Sequence, residues 1–250
     1  MNIKYFDRFE LKYLLSQTQF EQMSAGLVNY MERDDRGDAY GRYSITSLYY
    51  DTVDYKAYWD KIEGHRFRRK VRVRVYGDAP VRAETPVFAE IKQRINKTLQ
   101  KKRVELPYEA AVALCSQGLR PEAKLAETDR NIVDEIRYLY YTLQLRPACI
   151  VSYHRLAFVG NDNDPGLRVT FDTNLKGRTH DLTLQAEGFG ESRFFLSPEW
   201  TIMEVKVNHR VPYWLTELIN KNRCTLRRIS KYCTALEQCQ ALFMRQHVIY

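Results

Sequence analysis

The sequence predicts an α+β fold: a closed antiparallel β-barrel of about eight strands with helices packed outside. Three observations carry that prediction. The first is the stretch Arg66-Phe67-Arg68-Arg69-Lys70-Val71-Arg72-Val73-Arg74-Val75. Side chains alternate in a strand, so Arg66, Arg68, Lys70, Arg72 and Arg74 line one face while Phe67, Val71, Val73 and Val75 line the other, with only Arg69 out of register. The second is that several further segments of strand length have the same build, one charged face and one apolar face. The third is a recurring triplet, Glu10-Leu11-Lys12, Glu90-Ile91-Lys92 and Glu204-Val205-Lys206, which sets a carboxylate and an ammonium side by side on a strand. A closed barrel gathers such charged faces into its lumen and leaves the apolar outside to be covered by helices. An open sheet with a solvated charged face is the alternative.

Taken in order, residues 6–14 alternate, with Arg8, Glu10 and Lys12 opposite Phe9, Leu11 and Tyr13, and read as a strand. Ser16 and Gln19 form a possible capping box, and Phe20, Met23, Leu27 and Met31 recur at helical spacing, which predicts a helix over 16–31. A polar loop at 34–38 ends it. Residues 43–50 are rich in β-branched and aromatic side chains and read as a strand, after which Asp51 can cap a short helix to Ile62 with Gly64 as its stop. The basic strand follows. Beyond a turn at 77–86, residues 87–94 and 100–106 read as a hairpin around Asn96-Lys97. Pro107 suits the first turn of a helix that Gly118 ends, and a second helix is expected over 121–145 with Ile132, Val133, Ile136, Leu139 and Leu143 in its apolar stripe. Strands at 148–158, 167–171 and 200–208 and helices at 212–222 and 227–245 complete the chain. No linker or fixed-period repeat divides it, so residues 1–250 read as a single domain.

At 250 residues, 44% of them hydrophobic, the chain can bury a sizeable core. A formal charge of +8 favours a polyanionic partner, whether nucleic acid, a phosphate chain or an anionic surface. Nucleic acid is the poorer fit, because basic side chains inside a narrow barrel cannot meet a duplex, and aromatic and basic residues are not interleaved as single-strand binders require. The five cysteines lack CxxC spacing, no apolar amino-terminal core resembles a signal peptide, and no apolar run reaches membrane-spanning length. These features predict a cytoplasmic location with reduced thiols; a membrane association would come through a membrane-protein partner. A lumen of this kind is costly to desolvate, so its arginines and lysines should hold an anion and its carboxylates a divalent metal. A metal-bound polyphosphate suits both demands, since arginine presents a planar fork to phosphate oxygens and glutamate is a hard oxygen ligand.

Eight short motifs carry a resemblance: Arg8-Phe9-Glu10-Leu11-Lys12, Tyr49-Tyr50-Asp51-Thr52, Arg72-Val73-Arg74, Phe88-Ala89-Glu90-Ile91-Lys92, Tyr153-His154-Arg155, Arg168-Val169-Thr170-Phe171-Asp172, Met203-Glu204-Val205-Lys206 and Ser230-Lys231-Tyr232-Cys233. In this order they resemble the vacuolar transporter chaperone (VTC) domain, the polyphosphate polymerases within the triphosphate tunnel metalloenzyme (CYTH-like) superfamily, over nearly the whole chain. The resemblance implies a tunnel that binds ATP and moves its terminal phosphate onto a growing inorganic polyphosphate chain. By position it makes Lys12, Arg72, Arg74, Lys92, Lys101, Arg155, Arg168 and Lys231 phosphate ligands, with Ser230 and Tyr153 as secondary contacts. Lys101 and the adjacent Lys102 can exchange roles. Glu204 becomes the principal ligand of Mn2+ or Mg2+, with Glu10 beside it. Arg66 and Arg68, at the start of the basic comb, are assigned to holding the chain further along.

One position departs from the pattern. The superfamily signature Glu-x-Glu-x-Lys has Arg8 at its first position here, which removes a metal carboxylate and makes the first strand more basic. Two other activities fit the same residues: a triphosphatase of the same fold, and a non-catalytic polyphosphate-binding module. His154 falls on the face opposite Arg155 and reads as structural.

Overall fold

The computed structural model describes residues 8–96, 98–162, 164–185, 191–208 and 210–239. The expected start of the first strand at 6–7, the side chain of Arg8 and the end of the last helix beyond 239 lie outside the described residues. Eight long strands are present: β1 (Arg8–Ser16), β3 (Arg42–Asp51), β4 (Phe67–Tyr76), β5 (Pro86–Ile95), β6 (Thr98–Pro107), β7 (Arg146–Gly160), β8 (Arg168–Arg178) and β10 (Trp200–Asn208). Three short ones accompany them, β2 (Met31–Arg33), β9 (Arg193–Phe194) and β11 (Thr225–Leu226). Hydrogen bonding orders the sheet β11-β1-β10-β8-β7-β3-β4-β5-β6, with β2 added to β7 and β9 to β8. This corrects the expectation of a closed barrel of about eight strands, because among the described residues the path has two ends, β11 and β6, that do not pair. Alternation within a strand fixes which face is charged. Closure depends instead on a ladder between the outermost strands, and β11 is only two residues long.

The chain divides into two compact units. Unit 1 comprises residues 1–44, 153–175 and 196–229, and unit 2 comprises 45–152, 176–195 and 230–250. In unit 1, β1 pairs antiparallel with β10, and β10 with β8, so that Leu11, Tyr13, Val205, Met203, Val169 and Phe171 share one face. Helix α1 (Gln17–Leu27) and helix α5 (Tyr213–Lys221) contribute Met23, Leu27, Leu215 and Ile219 to the core on that face. The expected capping box is present: Ser16 Oγ accepts from the Gln19 amide while Gln19 Oε1 accepts from the Ser16 amide. α1 ends earlier than its hydrophobic spacing predicts, because Met31 is buried in β2 opposite Gly160.

In unit 2 the hairpins β3–β4, β4–β5 and β5–β6 stack Leu48, Tyr50, Val71, Val73, Ala89, Ile91 and Val104 on one face. Helices α3 (Tyr108–Gln117) and α4 (Glu127–Leu143) cover them with Leu114, Val133, Ile136 and Leu139. Gly118 ends α3 at φ 67, a left-handed conformation that favours glycine. Asp51 anchors α2 (Lys56–Ile62) from outside the helix: its carboxylate accepts from the amides of Thr52, Ala57 and Tyr58 and from the Tyr232 hydroxyl at the start of α6 (Lys231–Cys239). Among the described residues no helix is long and apolar enough to cross a membrane.

Candidate functional site

In unit 2 the face opposite the core is built by register. Ser47 and Tyr49 of β3 stand opposite Arg74 and Arg72 of β4, Arg72 stands opposite Glu90 of β5, and Glu90 stands opposite Arg103 of β6. One step along, Lys70, Lys92 and Lys101 lie directly abreast on three successive strands. Like charges placed so destabilise a sheet. Eight cations, Arg68, Lys70, Arg72, Arg74, Lys92, Arg94, Lys101 and Arg103, therefore share this face of β4, β5 and β6 with two carboxylates, the buried Glu90 and the exposed Glu105 opposite Phe88. Glu90 is fully buried and takes Arg72 Nε at 2.7 Å, Arg72 Nη2 at 2.5 Å and Lys101 Nζ at 3.4 Å. Burial alone would raise its pKa, but Arg72, Arg74 and Lys101 together hold it down at about 2. Arg72 also donates to the Tyr49 hydroxyl at 3.0 Å, and Arg74 donates to Ser47 Oγ at 3.0 Å. Burial pushes the Tyr49 phenol up, yet the opposing pull of Arg72, Arg74 and Lys70 lowers its pKa to about 8.

The carboxyl-terminal motif belongs to the same unit. Ser230 precedes α6, and its hydroxyl accepts from the Cys233 amide at 3.4 Å and from Lys70 Nζ at 3.3 Å. Lys231 is buried in the first turn of α6. Lys101, rather than Lys102, faces the cations: Lys102 stands opposite Ile91 and pairs with Glu135 of α4 at 2.6 Å. The comb is shorter than the sequence predicts. Arg66 lies exposed ahead of β4, its carbonyl closing the hairpin by accepting from the Asn96 amide, and Arg68 begins the row opposite Arg94.

Unit 1 carries a face of different composition. Lys12, Glu204 and Thr170 stand abreast on β1, β10 and β8, and Glu10, Lys206 and Arg168 form the next row. Lys12 Nζ lies between two carboxylates, 3.2 Å from Glu10 and 3.0 Å from Glu204. Burial would lower the Lys12 pKa, but Glu204 and Glu10 raise it, so the ammonium is firmly charged. Arg155 grips Asp172 with both fork positions, at 2.6 and 2.8 Å, reaches Glu204 at 3.6 Å, and lies 5.3 Å from the centre of the buried Tyr153 ring. Arg168 pairs with Asp34 and donates to the Tyr43 hydroxyl at 2.9 Å. Among the described side chains cations and carboxylates balance here, four of each: Lys12, Arg155, Arg168 and Lys206 against Glu10, Asp34, Asp172 and Glu204. His154 points to the exposed side, as alternation requires.

Glu10 and Glu204 offer hard oxygens for a divalent metal, and the buried hydroxyl of Thr170, in register with Glu204, has no hydrogen-bond partner among the described residues. No group of three or more His, Cys, Asp or Glu is disposed to hold a metal among those residues. That donor set does not make an all-protein cage. It fits magnesium or manganese, which bind through one or two carboxylates and take their other ligands from water and phosphate.

The sequence reading left Tyr49, Lys70 and Asp172 out of the site. For Tyr49 the signal was present: in Ser47-Leu48-Tyr49-Tyr50-Asp51 the apolar Leu48 and Tyr50 are buried in the core, which puts Tyr49 on the charged face. For Lys70 it lay in the comb itself. Asp172 shares the alternation of Arg168 and Thr170.

The fold is shared with proteins of distant sequence. A putative adenylyl cyclase from Hippeastrum, described as having a dominant triphosphatase activity, superposes with a TM-score of 0.53 at 14% identity, covering 94% of this chain and 97% of that one. A putative adenylate cyclase from Bacillus halodurans superposes with a TM-score of 0.51 at 13% identity, covering 88% and 92%. No curated protein matches the sequence. The VTC domain model matches residues 7–240, a span that holds both charged faces and all eight motifs, and the chain belongs to the VTC domain family.

Proposed function

We propose that the protein is a metal-dependent polyphosphate polymerase that transfers the terminal phosphate of ATP to a growing polyphosphate chain. The observation that carries this reading is the row Lys70, Lys92 and Lys101, in register across three strands, with Glu90 as the carboxylate of the adjoining row. A polyanion offsets such a row, and the arginine forks beside it suit phosphate oxygens. Family membership points the same way.

Phosphoryl transfer passes through a loose transition state whose charge spreads over the transferred oxygens, so catalysis is chiefly positioning and charge stabilisation. Arg72, Arg74, Lys92, Arg155, Arg168 and Lys231 would supply that stabilisation. Lys12, Lys101, Tyr153 and Ser230 would hold further phosphates, and Arg68 and Arg66 would contact the chain. Glu90 and Tyr49 keep the Arg72 guanidinium fixed, so little reorganisation accompanies the reaction. Glu204 and Glu10 would hold Mn2+ or Mg2+, which when bound neutralises phosphate charge. The attacking group is a terminal phosphate oxygen of the acceptor, already ionised at neutral pH, so no general base is needed.

A triphosphatase is the second reading, favoured by the described activity of the Hippeastrum protein. It uses the same cations but lets water attack. The test is to incubate the protein with ATP and manganese, with and without a short polyphosphate primer, and to resolve the products by gel. Long chains are expected. Orthophosphate alone at every metal and primer concentration would replace the polymerase with the hydrolase, and no turnover with retained polyphosphate affinity would leave a binding module.

A further inference from the structure

Arg69, the one basic residue out of register with the comb, has a different setting. Alternation along β4 turns it away from the row of Lys70 and Arg72 to the helix-covered face, where it lines a cavity of about 110 Å3 within unit 2. The floor of that cavity is apolar, made by Tyr50, Val71, Leu139, Leu143 and Leu145. Its carboxylates already have hydrogen-bond partners. Asp51 is saturated by three backbone amides and the Tyr232 hydroxyl, while Asp60 takes Lys56 Nζ at 2.9 Å and His65 Nδ1 at 3.0 Å on one oxygen. Arg69 is half-buried, with its guanidinium 4.9 Å from the centre of the Phe67 ring, and makes no hydrogen bond or ion pair among the described residues.

A planar cation without a counter-ion, beside an apolar floor, calls for a ligand with one anionic head and a short hydrocarbon tail. We infer that this cavity binds a small aliphatic monocarboxylate, its carboxylate on the Arg69 fork and its tail on the leucine floor. A single guanidinium, with the Asp51 and Asp60 carboxylates also in the lining, favours a monoanion over phosphate or polyphosphate, and its fork matches a carboxylate's two oxygens. A cavity of about 150 Å3 holds the six carbons of benzene, so this one accommodates a tail of about four. The site is separate from the basic face and does not depend on its function.

The experiment is calorimetric titration of the full chain with acetate, butyrate, butanol, butylammonium and butyl phosphate at constant ionic strength. Butyrate is expected to saturate at millimolar concentration, at least tenfold tighter than acetate, with butanol and butylammonium not binding. Arg69→Gln should abolish butyrate binding while tripolyphosphate affinity stays at the wild-type value, and Arg69→Lys should retain part of it. Butyrate no better than acetate or butanol, a failure to saturate below about 50 mM, or an unchanged affinity in Arg69→Gln would overturn the site. Tighter binding of butyl phosphate than of butyrate would overturn the carboxylate assignment.

Discussion

Glu90 is the residue on which the basic face of unit 2 turns, since it is fully buried and its partners are Arg72 and Lys101. Glu90→Gln would leave Arg72 a buried cation without its carboxylate, and chemical denaturation should report a loss of about 3–5 kcal/mol. The pH dependence follows from its depressed pKa. Stability from this carboxylate is fully present above its ordinary value of 4.5 and is lost as pH falls toward about 2, so wild type should shed on the order of 3 kcal/mol over that window while Glu90→Gln does not. Tyr49 acts at the other end of the scale. It is faced by Arg72, Arg74 and Lys70 and stacks on Tyr232, and its ionisation near pH 8 adds a negative charge to the face. Tripolyphosphate affinity should therefore fall as pH rises through about 8 in wild type and stay flat in Tyr49→Phe; identical profiles would dismiss Tyr49 as the titrating group. Its effect on stability has the opposite sign, being present above pH 10 and lost as pH falls through 8. At the metal-capable face, Glu204→Gln should abolish manganese-dependent turnover while the far-ultraviolet spectrum is unchanged. Activity equal to wild type across a manganese titration would remove Glu204 from the reaction.

At the scale of the element, the strands β4, β5 and β6 form a ladder that stores repulsion in the rows Arg68–Arg94 and Lys70–Lys92–Lys101. Lys92 sits in the middle of the longer row. Lys92→Ala should raise the melting temperature of the free protein slightly, corresponding to ~0.5 kcal/mol, and diminish the further rise on adding tripolyphosphate. A full ligand-induced rise in the variant would show that the row does not meet the anion. The same strands explain what the sequence made legible. Period-two alternation identified the charged face of every long strand but β3, because each needs one face for a core and that need is local; β3 was read from its β-branched and aromatic content alone. Helix α1 was read too long, since Met31 fits both a helical stripe and the buried position it takes in β2 opposite Gly160. β2, β9 and β11 were invisible: strands of two or three residues exist because a neighbour offers free hydrogen-bonding groups, and no residue pattern announces that. Closure was unreadable for a related reason, being a relation between the two outermost strands. In the site, alternation told which side chains share a face but not which carboxylate each cation meets. Glu90 with Arg72, and Asp172 with Arg155, are products of register.

At the scale of the molecule, charge and chain path both matter. The net charge of +8 is unevenly distributed: among the described side chains the polar face of unit 1 is balanced, whereas that of β4, β5 and β6 in unit 2 carries eight cations against Glu90 and Glu105. Each unit is also assembled from three separate segments of chain. Unit 2 needs α6, whose Tyr232 hydroxyl meets Asp51 at 2.5 Å and whose Ala235 and Leu236 are fully buried. Deleting residues 231–250 should therefore unfasten the start of α2, seen as rapid hydrogen exchange at the Ala57 and Tyr58 amides that Asp51 holds. Slow exchange in the truncated protein would show that Asp51 keeps its hold without Tyr232. The path of unit 1 has a consequence for synthesis. β1 lies between β10 and β11, and its partner Asn208 follows Arg8 by about 200 residues, which a ribosome adds in ~10–40 s. Throughout that interval the newborn amino-terminal strand has neither neighbour, with Leu11 and Tyr13 uncovered, and it is the segment of this chain that a nascent-chain chaperone has longest to hold.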